Sequence, residues 1–487
     1  MDSTNNEKLP RRRILAALAG GIGFAAANVA GVLPSGAAEV SKINDEQLHI
    51  SLDRERGPLR IGRFGVGHGG YWDEPTWLDR ASGEIRSLRS QTIRLFVTES
   101  YDLLPAPGKY NWSKLDKSVE MILRAGSKPL MCIIFKPRVL FPTLDQNVVT
   151  PNNWTAWQDL VFNLVKRYKE NGSGIEYWEI GNEGDIGAQG GAPYKFTPEN
   201  YTTYYQHTAA AIARADPDAY IGGPAVAHYT SALLPALVAY CDRTKTPIHF
   251  VSWHNYNSDP STFTKSIAHI KKILAGHPSL KIETIIDEWN CSIGNPPLDP
   301  RFQPCFIAEV TYRMLEAGLD SSNYYHIRDY YVEPQVMTFL PWWNPESWNR
   351  ISLMLGLFDF QNVPRPSYFL FRLLSRLRGN RIDINGSGAK IHGLGSYDDS
   401  MKSYNLLIWN FSDSPVRARL ILSGVPEQLK GTRVALDSVI ASNEEFHRLQ
   451  PQPEFHVDKG EGTISADLEP FGVTSILLQK ISRRAWG

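Results

Sequence analysis

Two glutamates that follow short apolar segments form a pair that could do chemistry. Glu183 lies in the sequence YWEIGNEGD, and Glu288 lies in IETIIDEWN. About 100 residues separate them, which is room for three strand-plus-helix units of a parallel barrel. Both carboxylates would then face each other at the C-terminal ends of barrel strands. Two facing carboxylates can cleave a glycosidic bond with retention, and we predict that chemistry. Each glutamate could instead be a solvated surface acid.

Four further polar residues lie where they could support these carboxylates. Asn182 directly precedes Glu183 and could hydrogen-bond the 2-hydroxyl of a sugar. Arg94 is a charge within an apolar strand, and a buried arginine needs a carboxylate, for which a nucleophilic glutamate is the natural partner. His254 and Tyr256 end the sixth predicted strand and could donate to that same carboxylate. A structural role is the alternative for each.

Strand alternation favours Glu288 over its neighbour Asp287. Successive side chains of a strand point to opposite faces, so Asp287 is expected to point away from the site. Further sugar contacts are predicted for His68, which lies among glycines, and for Trp289 and Trp343, because indole rings stack on sugars. Ordinary packing would account for both tryptophans equally well.

No motif for a phosphate, a nucleotide or a metal accompanies these residues. The glycine-rich segment 65–70 lacks the Lys-Ser/Thr of a P-loop and the spacing of a dinucleotide turn. Since CxxC and HxxxH spacings are missing, we predict no metal and no cofactor. Lys plus Arg and Asp plus Glu number 51 each, which argues against a nucleic-acid partner. The predicted partner is an oligosaccharide or polysaccharide substrate, and the oligomeric state stays open.

Eight apolar segments at regular spacing predict a (β/α)8 TIM barrel over residues 55–378. Spacings of about 30 to 46 residues suit strand-plus-helix units, and continuous apolar rows suit parallel strands buried on both faces. Helical periodicity predicts helices between them, for example at 154–169 and 201–215. The predicted strands are 59–66, 92–97, 129–135, 175–180, 220–224, 248–253, 282–286 and 323–327.

A second domain with a different rhythm is predicted over residues 379–487. Strand-like stretches at 403–411, 416–422, 432–439 and 463–478 are separated by turn residues and lack a helical period. They indicate a C-terminal antiparallel β-sandwich. The segment 48–53 could add a strand to it.

Residues 1–38 resemble an export signal. The run from Arg11 to Leu15 reads RRRIL, a weakly apolar Ala/Gly-rich stretch follows, and SGAA at 35–38 is a small-residue cleavage site. The paired arginines resemble a bacterial twin-arginine signal, which predicts a periplasmic or secreted protein without stable membrane insertion after signal removal. The alternative is an uncleaved membrane anchor, which the glycines disfavour.

Four cysteines are too few for a disulfide scaffold in a chain of 487 residues. Cys132 lies in a predicted strand and is expected in the core. Cys291 and Cys305 share a polar, Pro-rich segment and could form a loop disulfide in the periplasm.

The order of these features resembles clan A glycoside hydrolases, and within that clan family 39, the β-xylosidase and α-L-iduronidase group. The similarity includes the Asn-Glu after the fourth strand, the Glu of the seventh and the His/Tyr of the sixth, and it spans about residues 59–481. It also includes GKYNWS at 108–113, GSKPL at 126–130 and YFLFRLLSRL at 368–377. The resemblance implies Glu183 as acid/base and Glu288 as nucleophile.

Two departures from the family pattern leave the sugar open. Family 39 usually reads Trp-Asn-Glu, where this chain has Gly181, and usually has Thr before the nucleophile, where this chain has Asp287. Both variants look more like family 51 arabinofuranosidases. We therefore predict an exported retaining hydrolase that is most similar to β-xylosidases. The alternatives are an α-L-arabinofuranosidase, an endo-acting exopolysaccharide hydrolase, and a non-catalytic glycan-binding barrel.

Overall fold

The computed structural model describes residues 44–69, 80–143, 145–293, 297–329, 355–386, 390–436 and 449–481. The predicted export signal at 1–38 and the predicted sugar contact Trp343 lie outside these ranges. In the described part of the chain, no helix is both long and apolar enough to cross a membrane.

A closed barrel of parallel strands forms the larger part of the fold. Among the described residues it has eight strands, and its last strand pairs with its first. The strands are β2 Phe64–Gly67, β3 Thr92–Val97, β4 Lys128–Ile133, β5 Tyr177–Ile180, β6 Tyr220–Val226, β7 Phe250–Tyr256, β8 Glu283–Asn290 and β9 Ser321–Tyr324. The predicted TIM barrel is confirmed.

Helices alternate with these strands and cover the barrel. They are α1 Ser82–Leu88, α2 Ser113–Arg124, α3 Trp154–Glu170, α4 Pro198–Ala215, α5 Leu233–Thr244, α6 Ser261–Ala275, α7 Phe302–Glu316 and α8 Pro366–Leu374. Local sequence fixes where they start. In α4, Thr197 and Asn200 form a capping box and Pro198 occupies the first turn, where its missing N–H does no harm.

A mixed β-sheet forms the second part of the fold. Its described strands are β1 Asn44–Pro58, β10 Asn380–Gly386, β11 Ile391–Asp398, β12 Ser403–Asn410, β13 Val416–Val425, β14 Leu429–Leu436, β15 Gln450–Val457, β16 Gly460–Leu468 and β17 Val473–Lys480. They lie in the order β15-β14-β17-β12-β11-β10-β1-β13-β16. The N-terminal strand β1, Asn44–Pro58, runs antiparallel to β10 and parallel to β13, so the domain is not purely antiparallel as predicted.

This sheet closes over a core of its own. Side chains from the two opposite edge strands of the sheet, Val457 of β15 and Ile464 of β16, belong to one buried apolar cluster that is separate from the barrel core. Such a cluster requires the sheet to fold over itself as a sandwich.

A buried carboxylate joins the barrel to the sheet. Glu309 of α7 is fully buried and accepts hydrogen bonds from His392 Nδ1 at 2.7 Å, Trp409 Nε1 at 2.9 Å and Arg313 Nε at 2.7 Å. His392 and Trp409 belong to β11 and β12. The contact therefore ties a barrel helix to two strands of the sandwich.

All four cysteines are buried free thiols. The disulfide that we considered between Cys291 and Cys305 is not formed. Instead, the Sγ of Cys305 donates to the carbonyl of Asn410, 3.3 Å away, which adds a second contact between α7 and β12.

Candidate active site

The two glutamates meet at the carboxyl end of the barrel. Glu183 follows β5 and Glu288 lies near the end of β8. One carboxylate oxygen of each lies within 4.8 Å of the other and of a ring nitrogen of His254. Glu183 has a left-handed backbone conformation with φ of 45°, and its N–H donates to the carbonyl of Ala225 on β6 at 2.8 Å. This bond fixes the main chain that carries the carboxyl group.

Two strong donors hold the carboxylate of Glu288. The phenol of Tyr256 donates to Oε1 at 2.5 Å, and Nη1 of Arg94 donates to Oε2 at 2.9 Å. Only 7% of Glu288 is exposed. Charge-assisted hydrogen bonds are stronger than neutral ones, so these two donors fix the orientation of the carboxylate.

Glu183 has a different environment. Its Oε1 is paired with Nδ1 of His254 at 2.9 Å. Burial raises the pKa of Glu183, and the nearby charge of Glu288 adds to that effect, whereas the contact with His254 opposes it. The net pKa lies above the ordinary value of a glutamate, which suits a group that must hold and release a proton.

Arg94 connects the acidic groups of the site. Its guanidinium contacts Glu179 at 2.7 Å and Glu288 at 2.9 Å, and its Nη2 donates to Asn182 Oδ1 at 2.8 Å. Burial would lower the pKa of Arg94, but the surrounding acidic groups raise it well above its usual value. Because Arg94 engages the amide oxygen of Asn182, the Nδ2 donors of that side chain are oriented away from the guanidinium.

The prediction that Asp287 points away from the site is wrong. Its Oδ2 lies 2.9 Å from Nη2 of Arg94 and 3.3 Å from Nε2 of His254. The reason is a bulge in the β7–β8 ladder, where Trp253 pairs with Ile286 but His254 pairs with Glu288. The unpaired Asp287 lies between these pairs, and the alternation of side chains is interrupted there.

Asp287 and Glu288 change the charge state of His254. Burial would lower the pKa of this histidine, but the two carboxylates and the bond to Glu183 raise it well above its ordinary value. His254 was expected to donate to Glu288, yet its Nδ1 lies 3.8 Å from that carboxylate and 2.9 Å from Glu183. The imidazolium of His254 therefore bonds mainly to Glu183 and not to Glu288.

The remaining predicted sugar contacts are less well placed. Trp289 is 1% exposed, and its ring packs between Phe263 of α6 and Tyr324 of β9. It points towards the helix layer, so a contact with a sugar at the barrel mouth is ruled out for it. His68 lies just beyond the end of β2 but is buried, and burial lowers its pKa to about 4, which keeps the ring neutral.

Sequence reasoning placed Glu179 near Glu183 but assigned it no role in the site. Glu179 lies inside β5 and is fully buried against Arg94, and burial raises its pKa to about 7. The sequence did contain a signal for Glu179, since an acidic residue within an apolar strand is as unusual as Arg94 in β3. Cys132 also contacts Arg94, at 3.3 Å, but no sequence feature distinguished it from a core residue.

Three atoms of the site are also spaced as metal ligands. Carboxylate oxygens of Glu183 and Glu288 and a nitrogen of His254 form such a group, with no other found among the described residues. However, Nδ1 of His254 is engaged in a hydrogen bond with Glu183. A metal ligand needs that nitrogen deprotonated, whereas the raised pKa of His254 favours the imidazolium. We therefore keep the prediction that the site works without a metal.

Two curated proteins are similar in sequence to part of this chain. A β-xylosidase from Caldicellulosiruptor saccharolyticus is 25% identical over 299 residues, which is 56% of this chain and 58% of that protein. A β-xylosidase from Geobacillus stearothermophilus is 24% identical over 302 residues, or 55% of this chain and 56% of that protein. The chain thus spans less than two thirds of the length of these curated relatives.

The fold has a close counterpart among solved structures. A family 39 glycoside hydrolase from Xanthomonas axonopodis pv. citri superposes with a TM-score of 0.74 at 16% identity, over 93% of this chain and 100% of that one. At this identity the likeness concerns the fold alone. Residues 99–411 match the family model described as glycosyl hydrolases family 39. This match covers more than half of the chain, confirms the resemblance seen in the motifs, and shows that the protein belongs to glycosyl hydrolases family 39.

Proposed function

We propose that this protein is a retaining glycoside hydrolase in which Glu288 is the nucleophile and Glu183 the acid/base. The observation that supports this most directly is the short distance between the two carboxylates, whose nearest oxygens lie within 4.8 Å. Retaining enzymes hold their carboxyl groups about 5 to 5.5 Å apart, whereas inverting enzymes leave about 6.5 to 9.5 Å for a water molecule.

The reaction runs in two steps. Glu288 attacks the anomeric carbon, and the bond from that carbon to the leaving oxygen breaks while Glu183 donates its proton to this oxygen. Glu183, now a carboxylate, then takes a proton from a water molecule, which displaces Glu288 and restores both side chains. Arg94 and Tyr256 each bond one oxygen of the nucleophile and hold it in position, and the raised pKa of Glu183 keeps its proton available.

A β-xyloside is the substrate class that we favour. The two curated relatives are named β-xylosidases. With its Oδ1 bonded to Arg94, Asn182 can offer Nδ2 to a sugar 2-hydroxyl, a contact that strengthens in the transition state. An α-L-arabinofuranoside is the second candidate, because Gly181 and Asp287 replace the usual family 39 residues. Neither the similarity to the β-xylosidases nor these residues decide between endo and exo action.

A panel of aryl glycosides tests activity and sugar together. Wild type should hydrolyse the β-xyloside fastest, and Glu288→Gln should lower kcat by a factor on the order of 10⁴ or more, because no covalent intermediate can form. Proton NMR during the first minutes should show the product with the anomeric configuration of the substrate. An inverted product would refute the roles given to the glutamates, and hydrolysis unaffected by Glu288→Gln would refute the nucleophile. A wild type that binds xylo-oligosaccharides without cleaving them would support a glycan-binding barrel.

We further propose export to the periplasm or beyond. The support is the sequence RRRIL followed by the Ala/Gly-rich stretch and SGAA. In a bacterial host, the double substitution Arg11→Lys and Arg12→Lys should leave the protein in the cytoplasm. Wild type should be processed to a shorter form outside it. Equal distribution of both proteins between the fractions would refute twin-arginine export.

A further inference from the structure

A short 3-10 turn, Gly187–Gly190, packs directly against the carboxyl group of Glu183. A Cβ built on Gly190 would lie 1.7 Å from Oε2 and 2.7 Å from Cδ of Glu183, and 2.9 Å from Cδ1 of Ile186, which is the end of a flexible side chain. The φ of Gly190 is outside the left-handed region, so its backbone conformation is open to any residue. The carboxyl group, whose Oε2 is by far the nearest atom, is therefore the main reason that glycine is required here.

We propose that Gly190 is a positioning residue for the acid/base, because its missing side chain defines where Oε2 of Glu183 lies. This inference rests on the role proposed for Glu183. His254 binds Oε1 of the same carboxyl group at 2.9 Å. The group is thus held on one oxygen by a hydrogen bond and on the other by the surface of the turn.

The turn cannot easily move away from the carboxyl group. The side chain of Gln146 accepts a hydrogen bond from the N–H of Ala188 at 2.7 Å. The main-chain carbonyl of Gln146 accepts a second one from the N–H of Lys195 at 2.8 Å. Gln146, which lies in the loop after β4, therefore holds the turn in place through hydrogen bonds. On the other side, the main chain of Glu183 is fixed by its bond to Ala225 and by the 2.7 Å bond from the N–H of Gly187 to its carbonyl.

A side chain at position 190 would therefore displace the carboxyl group rather than the backbone. The clashing atom Oε2 is the far end of a flexible side chain, and moving it disturbs little of the fold. The same movement takes the acid out of line with the leaving oxygen. A displacement on the order of 1 Å can lower a rate by roughly 10²-fold. Gly190→Ala should thus affect catalysis much more than stability.

The test compares leaving groups that differ in their need for an acid. A dinitrophenolate leaves without protonation, whereas a phenolate needs it. Using the sugar that wild type prefers, Gly190→Ala should lower kcat/KM about 10- to 100-fold for the phenyl glycoside and less than about threefold for the 2,4-dinitrophenyl glycoside. Gly83→Ala is the matched control, because nothing lies within 4 Å of its Cβ, and both substrates should be unaffected. The melting temperature of Gly190→Ala should stay within about 2 °C of wild type.

A double-mutant cycle with Glu183→Gln shows whether Gly190 acts through Glu183. The readout is kcat for the dinitrophenyl glycoside, which depends on hydrolysis of the glycosyl-enzyme and so on Glu183 as base. Gly190→Ala should lower this kcat in wild type and change it less than about twofold in the Glu183→Gln background.

Three results would overturn the inference. These are equal losses for both leaving groups, no loss for either, and a Gly190→Ala protein that fails to fold, since the carboxyl group and not the backbone is inferred to move. Failure of the proposed function looks different. In that case Glu183→Gln itself leaves the hydrolysis of the phenyl glycoside unchanged, or wild type hydrolyses no glycoside of the panel.

Discussion

The junction between barrel and sandwich gives a stability prediction through Glu309→Gln. Glutamine keeps the shape of the side chain and can still accept from His392 and Trp409 with its oxygen. Its NH2 group, however, faces Nε–H of Arg313, which lies 2.7 Å from the carboxylate in the folded protein. The charge-assisted bond from Arg313 is lost, and the bonds from His392 and Trp409 become neutral ones. A charge-assisted hydrogen bond contributes about 1.5–3 kcal/mol to stability and a neutral one about 0.5–1.5 kcal/mol. Arg313 is 36% exposed, so water replaces part of its loss. The expected decrease in the free energy of unfolding is about 2–4 kcal/mol.

Urea unfolding at pH 7 measures this decrease. Tryptophan fluorescence is a suitable signal, because Trp409 lies at the junction itself. Glu120→Gln is the control, since this glutamate forms only a 3.5 Å surface pair with Arg124 and its side chain is 64% exposed. Its loss should stay below about 0.5 kcal/mol. If Glu309→Gln costs no more than this control, the junction does not stabilise the fold as we describe.

The same variant carries a pH dependence whose direction can be worked out. Burial would raise the pKa of Glu309, but the hydrogen bond from His392 and the other donors outweigh it, so the folded pKa lies below the ordinary value of 4.5. A carboxyl group with a lowered pKa stabilises the fold fully above its unfolded pKa, and this contribution is lost as the pH falls through the folded pKa. The difference between wild type and Glu309→Gln should therefore shrink below about pH 5. A difference that grows on acidification would contradict the reasoning.

Two predictions concern the catalytic cluster. His254→Asn removes the contact that lowers the pKa of Glu183, so this pKa should rise further and the alkaline limb of the kcat/KM profile should move to higher pH. A limb that stays in place would show that His254 does not influence the acid. Tyr256→Phe removes a charge-assisted donor to Glu288 and should lower kcat/KM roughly 10- to 100-fold without a change in the urea midpoint beyond that of a surface variant. A decrease in kcat/KM of less than twofold would show that Tyr256 does not assist Glu288.

The barrel could be predicted from the sequence because burial on both faces leaves a strong signal. Continuous apolar rows located all eight strands, and the bounds of β3, Thr92–Val97, agree residue for residue. The ends of β7 and β8 were placed too early, since Tyr256 and Asn290 are polar. Those residues still pair with each other in the ladder, because backbone hydrogen bonding continues where the side chains line a site. The polar residues at the ends of β7 and β8 line the site, and the sequence interpretation wrongly took them to lie beyond the strands.

The errors at Asp287 and Trp289 have different causes. The bulge that turns Asp287 inward depends on how β7 and β8 pair, and such long-range pairing leaves no mark on the local sequence. Trp289 could have been placed correctly, because residue alternation from the inward Glu288 sends its neighbour towards the helices. Its assignment as a sugar contact relied on residue type alone. The close approach of Gly190 to Glu183 likewise follows from tertiary structure, since nothing in the sequence around Gly190 predicts it.

The buried charges of the cluster explain why Glu183 rather than a neighbour is suited to carry the proton. Arg94 and His254 keep their positive charges, and they lower the pKa of Asp287 although burial alone would raise it. Burial outweighs the positive charges at Glu179 of β5 and at Glu183, which follows that strand, and it raises the pKa of Glu179 to about 7 and that of Glu183 above its ordinary value. The side chain of Glu179 is fully buried, whereas 12% of that of Glu183 is exposed at the barrel mouth. Of these two acids, Glu183 is the one whose exposure at the barrel mouth fits the acid/base role that we propose.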